Sequence, residues 1–583
     1  MNDSYMKSLR YCALILLIIT AFSCGRKDGI YSLTILETSD VHGKYFDSLY
    51  NGTANRTSLA NVSAYFNECD SICGKENVIK IDNGDLLQGD NAAFWANFID
   101  TLSDQHLMVK LVGSLGYDAL VVGNHDIETG HKVYDRIYSQ LKIPYLAANI
   151  VKEGTDETYF KPYTIIKRNG LRIAVIGYEN SNIKDWLGEK LWKGMDFKDI
   201  RECAQAMIDF VNEKEKPDIT IVSCHAGVGS GKYDDFENPS LYLARTLTGI
   251  DALLCGHDHA PYSEKLDNGT VIIDPGARCS HVAQVDFKIE IRNGKLVSKS
   301  SECKLVPMED IPKDGKYISR FKDDFRKVFE FSNKRIGTLE EDLVMSDAFF
   351  GQCAFINLVQ NAQLEASGAQ ISITAPLTSR GRLERGDISF QDLFVIYPFE
   401  NDLYKVELTG KQLKDYLEYS YMLWIGEGPV GREHLLNIEE NDSPVDGQSA
   451  GMSRKYRFVN PSFNFDAAAG INYTVDIRKP YGQRVEMLGL QDGTEFKEDR
   501  KYTVAISSYR ANGGGKLLTE GAGIASDELP DIVVETYSDI RNIIYNLFIS
   551  GRIDSKAHSN WKFIPETLAY ELGASDKKLL FEK

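Results

Sequence analysis

Five polar clusters in the first half of this 583-residue chain constrain its fold most, because each follows a short run rich in Ile, Val and Leu. The runs lie at residues 33–37, 78–82, 119–123, 219–223 and 252–256, and stretches with helical patterning separate them. Nearly continuous apolar runs of this length are typical of strands that are buried on both faces of a sheet. Strands that alternate with helices predict an α/β layered domain.

The clusters carry side chains that can bind metal ions. They read Asp40-Val41-His42, Asn83-Gly84-Asp85, Gly123-Asn124-His125-Asp126, Cys224-His225 and His257-Asp258-His259. Loops at the carboxyl ends of α/β strands hold the functional sites of such sheets, so we expect these side chains to lie close together. Imidazole and carboxylate suit Zn²⁺, Mn²⁺ or Fe²⁺, and the set is large enough for two ions. The alternative is that each cluster has a separate structural role. In that case five metal-binding patterns would have to follow five strands, in this order, by chance.

The negative net charge of the chain excludes some classes of binding partner. The formal net charge is −18 and the isoelectric point is about 5.2, so nucleic-acid polymers and anionic membrane surfaces are repelled. A small anionic substrate is not excluded, because bound cations can reverse the potential inside one cleft. No obligate protein partner is evident from the sequence.

The N-terminus has the pattern of a processing segment. Lys7 and Arg10 precede an apolar run at residues 12–22, which is about half the length that a membrane-spanning helix needs. The run ends in Ala21-Phe22-Ser23-Cys24, which resembles a bacterial lipobox. We therefore predict a signal peptide at residues 1–24, lipidation at Cys24 and a lipid-anchored protein of the bacterial cell envelope, periplasmic or at the outer surface. An ordinary secreted chain is the alternative.

The ordered set of clusters resembles the signature of the calcineurin-like metallophosphoesterases. The resemblance implies a four-layer αββα sandwich with two divalent metal ions. Carried over by position, it implies that the first ion is bound by Asp40, His42, Asp85 and His259. It implies that the second ion is bound by Asp85, Asn124, His225 and His257.

The same resemblance gives His125 the place of the family's catalytic histidine, which stabilises the transition state or protonates the leaving oxygen. Two acids are candidates to orient its ring. Asp126 is adjacent and matches a position that is commonly acidic, and Glu128 aligns with the orienting acid of many 5′-nucleotidases. The choice between them stays open at this point. Asn124, Asp126 and Glu128 are therefore counted with His125 as catalytic candidates.

The second half of the chain resembles the substrate domain of the 5′-nucleotidase and 2′,3′-cyclic phosphodiesterase family, through residues 385–389, 397–401 and 408–413. The predicted domains are a metallophosphoesterase domain at 30–310, a linker helix at 311–335 and an α+β nucleotide-binding domain at 336–583. Segments 372–377, 463–466 and 508–515 are similar to the cyclic phosphodiesterase/3′-nucleotidase type. By that match Phe463 and Tyr509 clamp the base, although Phe463 could instead be a core residue. Arg380 lies where the 5′-nucleotidase type has a phosphate-contacting arginine, and its alternative is a surface arginine.

These resemblances predict a dinuclear-metal phosphohydrolase that acts on extracellular nucleotides, with metal-activated hydroxide attacking phosphorus. The 2′,3′-cyclic-nucleotide 2′-phosphodiesterase/3′-nucleotidase type is preferred. The first alternative is a 5′-nucleotidase, which hydrolyses nucleoside 5′-monophosphates or UDP-sugars. A remote alternative is a non-catalytic nucleotide-binding surface protein, and a thiosulfate-ester hydrolase is a third.

Overall fold

The computed structural model describes residues 27–379, 381–399, 401–426, 433–440 and 455–581. The predicted signal peptide, the lipidation site Cys24 and Arg380 therefore lie outside the described residues. The chain divides into two compact units. The first covers the described part of Met1–Lys184 together with Glu189–Asp324, and the second covers Asp185–Gly188 and the described part of Phe325–Lys583.

The first unit is built on two six-stranded sheets. Its strands are β1 (Gly29–Thr38), β2 (Val78–Asp82), β3 (Ala119–Val121), β4 (Tyr145–Leu146), β5 (Ile150–Lys152), β6 (Tyr163–Arg168), β7 (Leu171–Glu179), β8 (Met195–Phe197), β9 (Ile219–His225), β10 (Ala252–Leu254), β11 (Tyr262–Lys265), β12 (Val271–Asp274), β13 (His281–Arg292) and β14 (Lys295–Pro307). The sheet orders are β14-β13-β1-β2-β3-β4 and β11-β12-β10-β9-β7-β6, and β5 pairs with β8. Strands β1 to β4 run parallel in the first sheet, and β7, β9, β10 and β12 run parallel in the second.

The two sheets pack face to face through alternate residues of their strands. Ile79 and Ile81 of β2 share one buried cluster with Ile173 and Val175 of β7. Burial of each such side chain contributes about 1.5–3 kcal/mol, so this interface forms a stabilising core between the two sheets. The intervening residues point outward to the helices, and Lys80, for example, lies 5.2 Å from the ring centre of Phe66.

Helices cover the outer faces of the two sheets. The helices of this part of the chain are α1 (Leu59–Cys69), α2 (Asn91–Phe94), α3 (Leu107–Leu115), α4 (Asn124–Glu128), α5 (His131–Gln140), α6 (Ile183–Trp186), α7 (Glu189–Trp192), α8 (Ile200–Glu215) and α9 (Ser240–Thr246). Helix α8 buries Ile200, Ala204, Ile208 and Val211, one face of a helix, against residues such as Ile176 of the second sheet. The predicted four-layer αββα arrangement is confirmed.

The second unit mixes sheets and helices. Its strands are β15 (Arg335–Leu339), β16 (Leu343–Val344), β17 (Ile371–Thr374), β18 (Arg382–Leu383), β19 (Gly386–Ser389), β20 (Asp402–Thr409), β21 (Ile438–Glu440), β22 (Tyr456–Phe458), β23 (Ala467–Ala469), β24 (Ile471–Asp476), β25 (Val485–Leu490), β26 (Lys501–Ser507), β27 (Val533–Asp539) and β28 (Trp561–Ile564). The main sheet has the order β23-β17-β26-β20-β27, and a second has the order β25-β24-β28. Two-stranded sheets pair β15 with β19, β16 with β18 and β21 with β22.

The remaining helices are α10 (Gly315–Ser332), α11 (Ala354–Ser367), α12 (Leu393–Ile396), α13 (Gly410–Ile425), α14 (Ser508–Ala511), α15 (Ile540–Ile549) and α16 (Glu566–Phe581). Helix α10 occupies the segment predicted as a linker helix, and the division between the two units falls within it. Helix α13 starts at a capping box on Thr409 and buries Leu413, Tyr416 and Trp424 in the core of the second unit. Among the described residues, no helix combines the length and apolar character needed to cross a bilayer.

Candidate metal centre

The fold of the first unit brings all seven predicted metal ligands together. Parallel strands end at one edge of a sheet, and the ligands follow those ends. Asp40 and His42 come after β1, and Asp85 follows β2. The other four are Asn124 at the first position of α4, His225 at the last position of β9, and His257 and His259 after β10.

Asp40, His42 and His259 form the first group. Asp40 Oδ1 lies 3.7 Å from His42 Nε2 and 3.4 Å from His259 Nε2, and the two imidazole nitrogens are 2.9 Å apart. Asp40 is fully buried, and its Oδ1 has no hydrogen-bond partner among the described residues. A buried carboxylate oxygen without a partner is costly. A cation between these three atoms would satisfy it, so the donor set fits a metal ion.

Asp85, His225, Asn124 and His257 form the second group. Asp85 Oδ2 lies 3.3 Å from His225 Nε2 and 3.8 Å from His42 Nε2, so this carboxylate faces both groups. Asn124 Oδ1 lies 3.2 Å from His225 Nε2 and 3.0 Å from His257 Nδ1. The arrangement puts an amide oxygen and two imidazoles beside a carboxylate that can bridge.

The electrostatics of the cluster also favour the binding of a positively charged ion. Burial raises the pKa of the Asp85 carboxyl, but His225 and His125 outweigh burial and hold that pKa well below its usual value. Burial opposes a charge on His225, yet Asp85 and Asp40 raise the pKa of its ring well above the ordinary value. Burial lowers the pKa of His42 to about 3, which leaves this imidazole neutral, the form that binds a metal.

The backbone carbonyl of Asn83 orients His225 in a way that residue patterns alone do not reveal. His225 Nδ1 lies 2.6 Å from the Asn83 oxygen, so this nitrogen carries a proton and donates it. Nε2 is then the nitrogen that faces Asp85 and Asn124. Metal-binding histidines commonly have their second ring nitrogen held in this way.

Backbone strain concentrates at the same residues. Asp40, His42, Asp85, His257 and His259 all have positive φ, between +47° and +79°. They are five of the eleven non-glycine residues with positive φ in the described part of the chain. Such conformations cost about 1–3 kcal/mol each and persist at functional sites, where the surrounding structure holds them.

The structure distinguishes the two acids near His125. Glu128 Oε2 lies 2.5 Å from His125 Nδ1, one helical turn along α4. Asp126 instead accepts hydrogen bonds from the backbone N–H groups of Leu86, Leu87 and Gly123 and from Tyr145 Oη. Glu128 is thus placed to orient His125, and Asp126 ties the loop after Asp85 to the start of α4.

The predicted base-binding residues lie in the second unit. Phe463 and Tyr509 are 38% and 44% exposed, and their ring centres are 6.3 Å apart at an interplanar angle of 82°. Phe465, by contrast, is buried and stacks on Trp424. The core role considered for Phe463 therefore belongs to Phe465.

The sequence interpretation missed Arg510, a buried residue that joins the segments carrying the two rings. Its guanidinium pairs with Asp466 at 2.8 Å and donates to the Phe463 carbonyl at 2.8 Å and to Asn464 Oδ1 at 3.2 Å. The sequence gives only a weak signal for this ion pair. Arg510 directly follows Tyr509, and Asp466 lies three residues after Phe463.

Two family models match the chain in succession. Residues 33–261 match the calcineurin-like phosphoesterase model, and residues 335–520 match the model of the 5′-nucleotidase C-terminal domain. The first matched range contains all seven clustered ligands, and the second contains Phe463 and Tyr509. Proteins with the first domain use divalent metal ions, in keeping with the Asp and His groups described above.

Relatives match between about three quarters and nearly all of the chain. The 2′,3′-cyclic-nucleotide 2′-phosphodiesterase/3′-nucleotidase of Salmonella typhimurium is 25% identical over 97% of this chain and 95% of its own length. The 5′-nucleotidase of Vibrio cholerae is 26% identical over 76% of this chain and 86% of its own length. A Staphylococcus aureus structure provisionally named a 5′-nucleotidase has a TM-score of 0.70 at 22% identity, covering 91% of this chain and 99% of its own, and it shows the shared fold.

Proposed function

The chain belongs to the calcineurin-like phosphoesterases that carry a 5′-nucleotidase C-terminal domain, and on this premise we propose that it is a metal-dependent phosphoric ester hydrolase that acts on nucleotides. The observation that carries the proposal is the convergence of seven Asp, His and Asn side chains in one cluster. This cluster includes the buried Asp40 Oδ1, which has no hydrogen-bond partner in the part of the chain that the structure describes. A non-catalytic binding protein has no need of such a strained and buried polar centre.

The residues fit two divalent cations, with Zn²⁺, Mn²⁺ and Fe²⁺ as the candidates. The first would be held by Asp40, His42, Asp85 and His259, and the second by Asp85, Asn124, His225 and His257. When bound, such cations supply Lewis acidity for the attack of water on phosphorus.

In this proposal His125 is the catalytic residue that acts on the phosphoryl group and the leaving oxygen. Glu128 accepts the hydrogen bond from His125 Nδ1 and so fixes the orientation of the ring. The imidazole then stabilises charge on the phosphoryl oxygens or protonates the leaving group. Its ring centre lies 5.4 Å from that of His42, which places it beside the proposed metal ligands.

For the substrate we propose 2′,3′-cyclic nucleotides and 3′-nucleotides. The relative that covers almost the full length of both chains supports this type, and Phe463 and Tyr509 offer the two rings that a base needs. A 5′-nucleotidase is the second candidate, supported by the Vibrio cholerae relative and by the position of Arg380 in the sequence.

We also propose that the protein is exported to the bacterial cell envelope and anchored there by a lipid on Cys24. The support is the short apolar run at residues 12–22 and the small residues before Cys24. An envelope position would bring the active site to extracellular nucleotides.

The test of the substrate is a comparison of three nucleotides. Release of nucleoside and phosphate from 2′,3′-cyclic AMP, 3′-AMP and 5′-AMP is measured with Mn²⁺ or Zn²⁺ and again after chelation. Turnover of the first two that requires the metal, with little on 5′-AMP, supports the proposal. Preference for 5′-AMP favours the second candidate, and absence of turnover on all three by metal-loaded protein contradicts a nucleotidase.

Replacement of Tyr509 by alanine tests the base-binding rings. Stacking on one aromatic side chain is worth about 1–3 kcal/mol, so we expect KM for the preferred nucleotide to rise about 5- to 150-fold. The kinetics of bis(p-nitrophenyl) phosphate, which has no base, should stay the same. Tyr481→Ala is the matched control, because Tyr481 has a similar exposure of 43% in the same unit. Equal losses on both substrates would show that Tyr509 is structural.

A further inference from the structure

A loop beside the centre presents a carboxylate to one of the proposed ligands. The loop joins β9 to α9 and spans residues 226–239. Glu237 Oε1 lies 3.3 Å from His257 Nε2, and Nδ1 of the same ring lies 3.0 Å from Asn124 Oδ1. The two ring nitrogens therefore face different partners, one in the centre and one on the loop.

The inner side of this loop is fastened to the strands that carry the centre. Asn180, which follows β7, donates from Nδ2 to the Glu237 carbonyl at 2.8 Å. Asp258, between the two histidines of the last cluster, accepts from the Val228 N–H at 2.9 Å. Both contacts connect the loop to residues that follow β7 and β10, the two strands that flank β9 in the second sheet.

The outer side of the loop is held by ring contacts. The guanidinium of Arg201, at the start of α8, lies 4.6 Å from the ring centre of Tyr233 and 3.9 Å from that of Phe236. Cation–ring contacts of this kind stabilise a fixed loop path. Glu237 follows Phe236 directly, so its backbone is held from both sides.

We propose that Glu237 is a positioning residue for His257, a role that rests on the metal centre proposed above. Its carboxylate accepts a hydrogen bond from Nε2–H and so selects the tautomer in which Nδ1 has a free lone pair directed at the centre. A carboxylate on the outer nitrogen also makes the ring a stronger ligand. Because His257 belongs to only one of the two ligand sets, the effect concerns the ion shared by Asp85, Asn124 and His225.

Zn²⁺ titration of the full-length protein tests this role. The protein is freed of metal by chelation and dialysis, and Zn²⁺ binding is measured in competition with a chromogenic chelator. Removal of an outer hydrogen bond costs about 10- to 100-fold in metal affinity, so we expect Glu237→Ala to raise Kd by this factor for one ion and to leave the other unchanged. Glu237→Gln keeps an acceptor oxygen without the charge and should give a smaller increase.

Asp234→Asn is the matched control, because it removes the same charge from an exposed position of the same loop. Its two Zn²⁺ affinities should equal those of the wild type, and the melting temperature of all three metal-free variants should stay within a degree or two of the wild type, about the spread expected for surface changes. If wild-type protein binds two ions and Glu237→Ala binds both with wild-type affinity, the positioning role is wrong and the metal centre stands. If wild-type protein binds no Zn²⁺ or Mn²⁺, the proposed function is wrong and this role with it.

Discussion

Replacement of His125 by alanine is expected to lower kcat on the preferred nucleotide by about 10²- to 10⁴-fold, the usual contribution of a general acid. The His125 side chain belongs to neither ligand set, so the metal content should remain that of the wild type. The backbone N–H of His125 donates to Asp85 Oδ1 at 2.9 Å, and alanine retains this bond. Steady-state kinetics together with metal analysis of the same preparations measure both quantities.

Variants of Glu128 and Asp126 distinguish a residue that orients the His125 ring from one that holds the loops of the site in place. Glu128→Gln removes the charge beside His125 Nδ1 and should lower kcat with metal content intact. Asp126→Asn places an amide among backbone N–H donors, so it should cost about 1–3 kcal/mol of stability and weaken metal binding as well. A His125→Ala protein with near-wild-type kcat would sink the catalytic assignment, and loss of metal from this variant would make His125 structural.

The convergence of the proposed ligands can be read from the sequence because two rules act together. Buried parallel strands give apolar runs, and the carboxyl ends of such strands meet at one edge. Asp40, Asp85 and His225 each lie within three residues of a strand end. Sequence order therefore predicts that they lie close together without any knowledge of the loops between them.

The partners that lie outside these runs cannot be read in the same way. Glu128 becomes the partner of His125 only once α4 is known to start at Asn124, because residues three apart then share a helix face. Asp126 has its role because the loop after β2 directs two N–H groups at it. Glu237 meets His257 across 20 residues of chain, through a loop whose path depends on a ring contact to α8.

The relative orientation of the Phe463 and Tyr509 rings is a third feature that the sequence does not predict. The motifs name Phe463 and Tyr509, and the structure leaves both partly exposed, but the observed angle of 82° is not that of a base clamp. A base held between two rings needs them nearly parallel and about 7 Å apart, so the proposed clamp would require one of these rings to rotate. Side-chain rotation of this kind leaves no trace in the sequence.

Replacement of Gly123 by alanine is expected to remove metal from the centre and to abolish activity. A Cβ at this position would lie 2.2 Å from Asp85 Oδ1 and 2.4 Å from the Asp85 backbone nitrogen. The backbone at this contact cannot move away without shifting Asp85, whose carboxylate faces both ligand groups. We expect kcat/KM to fall by at least about 10³-fold, since displacement of a catalytic group by 1 Å already costs about 10²-fold. Metal analysis and kinetics of the purified variant measure both losses.

Gly113→Ala provides the control for this substitution. Gly113 lies within α3, and a Cβ there would meet no heavy atom within 4 Å apart from the adjacent residues and backbone of its own helix. Alanine is the better helix former by about 0.5–1 kcal/mol, so this variant should keep its metal and activity and melt at the same or a slightly higher temperature. Gly123 has a φ of −108°, which alanine adopts freely, so loss of function in Gly123→Ala reports the clash with Asp85 and not backbone strain. A Gly123→Ala protein that keeps both metal and turnover would mean that Asp85 is not held where the structure places it.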